Sequence, residues 1–288
     1  MASLFSKINP KETLVGTIVL LAVALVLHFM PWSVMIIACF ATLPGIILWY
    51  RSIHSFGLAT LITILLSTLT GDLFVMTFMI ILLALSAVIA QLLKQRASKE
   101  HILYVATLVT SIITIGAIMI LQGLKQLPYA QVLLEPYQKI VNQMIEMQNL
   151  DQQAREVLNN SVHQLAVQLP AMIVVTIAIY LIITLMIIFP ILRKFKIATP
   201  VFRPLYLWQM KRSLFIIYAI ALLVSVTTEP ATTINSIGIN FQIVLGFLLV
   251  IQGLSFIHYF TTIKRMPVAV SVILSLIHIS EPTRPLYI

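Results

Sequence analysis

Apolar residues come in long unbroken runs, not in alternating or one-sided stripes. Eight full runs lie at about 13–30, 32–50, 56–70, 73–93, 102–124, 169–192, 213–228 and 239–262, and another starts at 267. Six of the eight approach the roughly 20 residues that an α-helix needs to cross a bilayer, and the third and seventh are shorter. A helix that is apolar all round has no face for water. The pattern therefore predicts an all-α, polytopic transmembrane helix bundle of eight full spans plus a truncated ninth. "HFMPWS" joins the first two spans, with Pro31 placed to open a helix. The short third run ends at "TGD".

Two stretches break the pattern. In residues 125–168, Tyr137, Ile140, Val141, Met144 and Met147 recur at helical spacing between polar residues. Leu158, Val162, Leu165 and Leu169 do the same further on, and "QNLDQQ" between them reads as a turn with Asn149 or Asp151 as the next N-cap. The expectation is an external amphipathic helical hairpin whose second arm runs straight into the sixth span. It serves either as a cover on the outer leaflet or as a lid over a ligand. The other stretch is 193–212, "RKFKIATPVFRPLYLWQMKR", which is basic, aromatic and interrupted by two prolines. It is expected at the cytoplasmic surface, with Tyr206 and Trp208 at headgroup depth. Arg203, Lys211 and Arg212 would face anionic lipid or a partner protein.

Composition agrees with a lipid solvent. The chain is 60% hydrophobic and 9% charged, against roughly 25% charged residues in soluble domains. The net charge of +9 then speaks for membrane orientation and not for nucleic acid. With the N-terminus inside, and Arg284 of the closing string set aside, 14 Lys and Arg residues fall on the inner side and three (Lys125, Lys139 and Arg155) on the outer. The positive-inside rule therefore places the N-terminus in the cytoplasm, in a bacterial plasma membrane. Trp49 and Tyr50 fall at the inner interface and Trp32 at the outer. The first run is long and lacks a small-residue cleavage site, so it reads as a retained span. A single cysteine, Cys39, excludes an internal disulfide and a multi-thiolate metal site.

Catalytic patterns are missing. The sequence has no P-loop, no HExxH and no GxSxG, and no two of the scattered histidines have metal-ligand spacing. No enzyme, cofactor or metal site is expected. Polar residues near helix ends are more informative, because lipid cannot accommodate them and they must face protein or water. His28, Asp72, Gln122, Glu229, Asn235, Asn240 and Gln242 all fall on the outer side. Two readings stand for the acids Asp72 and Glu229. They are solvated interfacial groups, or they line an outward-facing pocket for a cationic or hydrogen-bond-donating small molecule, with Gln122, Asn235 and Asn240 as neutral partners. Gln252 and His258 lie six apart and are expected on different helix faces. Ser86 with Ala90, and Thr107, Thr110, Ser111 and Thr114, form small or hydroxyl faces suited to close helix contact.

The closing string "SLIHISEPTRPLYI" resembles translated sequencing-adapter DNA. Residues 276–288 are therefore expected to be non-native, and the ninth span to continue in the natural protein. Taken together, "HFMPWS", "STLTGD", the external loop and "FRPLYLWQMKR" resemble the YybS-like family of uncharacterised membrane proteins of Gram-positive bacteria, over about residues 10–275. That resemblance implies a distant likeness to the substrate-binding membrane subunits of energy-coupling-factor vitamin transporters. Such subunits bind a small solute near the outer face and borrow an ATPase from a partner. Many carry AxxxA in the first span, where this chain reads "GTIVLLAVALVLH". The expected function is a small-solute binding or transport-associated subunit without its own ATPase. The alternative is a non-transporting envelope protein that scaffolds or regulates a partner.

Overall fold

The computed structural model describes residues 8–129, 132, 134–148, 152–201, 205–229 and 232–265. Arg203, the turn residues Asn149 and Asp151, the expected ninth span and the closing string lie outside the described residues. Nine α-helices and no strand occur among the described residues. They are α1 (Pro10–Phe29), α2 (Val34–Arg51), α3 (Ile53–Thr68), α4 (Leu73–Lys94), α5 (Lys99–Gly123), α6 (Glu135–Gln148), α7 (Gln152–Lys194), α8 (Arg212–Thr227) and α9 (Thr233–Ile263). Five contain apolar stretches long enough to cross a membrane: α1, α4, α5, residues 164–194 of α7, and α9. The apolar helices of α2, α3 and α8 are shorter. These eight correspond to the eight runs of the sequence. The hairpin arm and the sixth span form one continuous helix of 43 residues, α7.

By packing, the chain forms two compact units. The first holds α1–α5 and residues 176–202, including the C-terminal part of α7. Its core has two clusters. Ile46, Leu85, Ile89, Ile102, Leu185 and Phe189 centre one, and Leu20, Leu27, Leu48, Phe56, Val75 and Met79 the other. Lipid tails are as apolar as leucine, so helices in a membrane associate by close fit, which small residues permit. A Cβ on Gly45 of α2 would lie 2.7 Å from the Ser86 Cβ of α4, and one on Gly16 of α1 would lie 2.5 Å from Leu48. Ser86 Oγ donates to Leu82 O at 2.8 Å and Thr42 O at 3.2 Å, so its hydroxyl is satisfied inside the contact.

The two ends of this unit differ chemically. At one end Arg51 pairs with Glu12, and Trp49 Nε1 donates to Gln91 Oε1 at 3.2 Å while its ring meets Phe56 edge-on. Eight of the unit's nine described cationic residues gather there; Lys125 is at the other end. Two helices terminate at that end in a left-handed residue, Arg96 after α4 and Lys196 after α7. Each is followed by an N–H that closes on the last turn: Ala97 N donates to Leu92 O at 3.0 Å, and Ile197 N to Leu192 O at 3.1 Å. Glycine usually takes this position. A cation there offsets some of the conformational cost by lying against the negative end of the helix dipole.

The second unit holds 128–175, with α6 and the N-terminal part of α7, and the chain from 203 onward, with α8 and α9. On α6 the apolar positions Tyr137, Ile140, Met144 and Met147 are exposed, while Ile145 and the preceding Leu134 are buried. The helix is thus amphipathic with an uncovered apolar stripe. A Cβ on Gly238 of α9 would lie 3.0–3.3 Å from Val224, Ser225 and Ala221 of α8, which fixes how closely those helices approach.

Candidate functional site

In the first unit, His28 lies in the last turn of α1 and α4 begins after Asp72, and the two side chains meet. Gly71 makes the turn between α3 and α4 possible with a φ of +66°, a conformation that side chains disfavour. Asp72 follows in extended backbone as the N-cap of α4. Its Oδ1 accepts from Phe74 N at 2.9 Å and Val75 N at 3.4 Å. Its Oδ2 accepts from the imidazole Nδ1 of His28 at 3.3 Å. The two oxygens therefore have separate tasks, and both side chains are only about two-thirds buried, at 31% and 35% exposure.

This pair edges a cavity of about 830 Å³ between α4 and α5. Phe74, Phe78, Ile81, Ile118 and Leu121 supply apolar wall, and Thr77 and Thr114 supply hydroxyls. The rings of Phe74 and Phe78 stack with centroids 6.3 Å apart. The volume lies within the roughly 300–1,000 Å³ of small-molecule sites, which are mostly apolar with a few placed polar groups. Among the described residues, Asp72 is the one carboxylate in the lining, and no Lys or Arg belongs to it. One to two turns further along α5 from Thr114, the buried oxygens of Thr107, Thr110 and Ser111 find no hydrogen-bond partner among the described residues.

The five residues singled out from the sequence have different places. Asp72 edges the cavity. Gln122 is half-buried at the end of α5 and does not line it, whereas Gln126 does. Glu229 is exposed in the turn between α8 and α9 of the second unit. Asn235 is 5% exposed, and its Nδ2 donates to Ser225 O, Thr228 O and Thr228 Oγ1 at 2.9–3.3 Å, tying that turn together. Asn240 of α9 clasps α7. Its Nδ2 donates to Val167 O at 2.8 Å and Ser236 O at 2.8 Å, and its Oδ1 accepts from Ala171 N at 2.9 Å. Between Val167 and Ala171 sits Pro170, which has no N–H to give the helix ladder. The Asn240 amide thus holds both sides of that gap. Both asparagines spend their donors on this chain's own groups. His28 was legible only as an outer polar residue, and Thr114 only as part of a helix-contact face. Nothing in the sequence joined either of them to Asp72, which lies 44 positions from His28.

The basic segment is also tied down in the second unit. Met210 N donates to Gln252 Oε1 at 2.6 Å, Ser255 Oγ donates to Trp208 O at 2.7 Å, and the Tyr206 ring lies 5.6 Å from His258. Gln252 and His258, expected on different faces, both meet residues 206–210, because a segment lying across a helix touches more than one of its faces. Lys211 and Arg212 are exposed beside it. Among the described residues no group of three His, Cys, Asp or Glu is placed to hold a metal ion.

All-helical architecture among the described residues and several apolar helices of membrane-crossing length define a multi-pass membrane protein. The family model described as predicted membrane protein (DUF2232) matches residues 17–287, and the chain belongs to that family. It is 33% identical over 113 residues to the uncharacterized protein YybS of Bacillus subtilis (strain 168). That match covers 38% of this chain and only 37% of the relative. No solved structure matches the chain.

Proposed function

We propose that the chain is a small-solute binding, transport-associated subunit of the bacterial plasma membrane, without an ATPase or catalytic site of its own. The observation that carries this is the cavity between α4 and α5, mostly apolar, with one carboxylate at its edge. The cavity opens at the end of the first unit opposite its cluster of cations. The positive-inside rule favours a cytoplasmic location for that cluster, so the cavity faces outward and the N-terminus inward. A thermal-shift screen of the purified protein against vitamins, nucleosides, amino acids and amines tests the reading, because a specific ligand stabilises the folded state by mass action. Stabilisation that saturates supports it. A screen without hits moves the balance to a non-transporting scaffold.

The scaffold reading has its own support in the segment 205–212, held on α9 by Gln252 and Ser255, with Lys211 and Arg212 free to meet an anionic lipid or partner. If that reading holds, Lys211→Ala with Arg212→Ala abolishes the cellular phenotype while cavity variants leave it intact.

A further inference from the structure

We infer that the cavity beside His28 and Asp72 takes an amphipathic amine, a protonated amino group on an apolar body. This rests on the solute-binding reading and narrows it. The first support is the division of labour on Asp72. Oδ1 is committed to Phe74 N and Val75 N of α4, whereas among the described residues Oδ2 holds only the His28 ring at 3.3 Å. An ammonium can take the Oδ2 position while the cap stays in place. A charged donor at normal hydrogen-bond distance makes a stronger bond to carboxylate than a long contact does.

The second support is the sign of the lining. Among the described residues, Asp72 is its one carboxylate and no Lys or Arg lines it. An anionic ligand would meet that carboxylate with no Lys or Arg among the described lining residues to answer it. The third is the wall. The stacked rings of Phe74 and Phe78 next to Asp72 offer π faces to a cation. Ile81, Ile118 and Leu121 suit an alkyl or aryl body, and Thr77 and Thr114 can accept or donate one neutral bond. The same chemistry has two sources, a free organic amine or the ammonium headgroup of phosphatidylethanolamine.

The test uses the full chain in phosphatidylcholine nanodiscs and three fluorescent probes with one shared body. Dansylcadaverine carries the amine, its N-acetyl derivative is neutral, and dansyl-6-aminohexanoate is anionic. The amine is expected to bind about tenfold or more tighter than the neutral probe, and the anion weakest of all. Asp72→Asn, which keeps a good N-cap, brings the amine-to-neutral ratio close to one, and Asp72→Glu restores the preference. Saturable binding of all three probes without preference for the amine overturns this inference and leaves solute binding standing. A preference that survives Asp72→Asn overturns it too. Failure of every probe to saturate overturns both. Replacing part of the phosphatidylcholine with phosphatidylethanolamine separates the sources: competition with the amine probe identifies the headgroup, and unchanged affinity identifies a free amine.

Discussion

Asn240→Leu removes the clasp that holds α7 on both sides of Pro170. Three hydrogen bonds to backbone are lost: the two to α7, from Nδ2 to Val167 O and from Ala171 N to Oδ1, and the one from Nδ2 to Ser236 O within α9. Hydrogen bonds between membrane helices average about 0.6 and reach about 1.7 kcal/mol by double-mutant cycles. Leaving a buried backbone group without a partner costs about 1–3 kcal/mol. The flanking proline makes the second figure relevant, because its ring crowds the turn that carries the Val167–Ala171 rung. The expected loss of stability is therefore about 2 kcal/mol. Pro170→Ala gives Ala166 O its N–H partner and removes the ring that crowds this turn, so that Ala171 N and Val167 O can close their own rung. In that background Asn240→Leu should cost about 1 kcal/mol less, a coupling large enough to resolve. Unfolding by SDS in mixed micelles, followed by far-ultraviolet circular dichroism, gives all four stabilities. An equal cost of Asn240→Leu in both backgrounds would refute the argument that the amide answers the break at Pro170. A loss of ligand affinity with unchanged stability would instead return Asn240 to the ligand-contacting role read from the sequence.

Gly45→Ala places a Cβ 2.7 Å from Ser86 Cβ, about 0.7 Å short of ordinary contact, and should cost about 1–3 kcal/mol in the same assay; Ser86→Gly should recover part of it. Asp72→Ala loses the N-cap of α4 and should cost about 0.5–2 kcal/mol, whereas Asp72→Asn should stay within a few tenths; equal melts for the two would contradict the capping role. For topology, Gln95→Cys and Gln152→Cys are introduced separately in a Cys39→Ala background. A membrane-impermeant maleimide added to intact cells should label position 152 and leave 95 untouched until the cells are opened, and the reverse pattern would invert the orientation.

Unbroken apolar runs made the helices legible, since a segment apolar on every side has few alternatives to a helix in lipid. Boundaries shifted by a few residues where polar ends extend the helix: the run at 239–262 lies inside α9, which starts at Thr233 under a Thr232 cap. The long α7 was legible because helical spacing in the hairpin arm led into the sixth run. The cavity was not. It depends on which helix ends meet, and His28, Asp72 and Thr114 are far apart in sequence. Nor were the roles of Asn235 and Asn240, because their partners are mainly backbone carbonyls and an N–H that carry no mark in the sequence. A polar residue in an apolar run signals that something must satisfy it. It does not say whether a ligand or the fold's own backbone will.

The most direct test of solute binding is the thermal screen run in parallel on the native chain and on Ala117→Phe, which fills the cavity from α5 without touching Asp72 or His28. A ligand at 100 times its Kd adds about 2.7 kcal/mol to the folded state, or several degrees in Tm at about 2–4 °C per kcal/mol. The account predicts that hits raise the Tm of the native protein by that amount and leave the filled variant, folded to the same helicity, unmoved. Equal shifts in both proteins would contradict it.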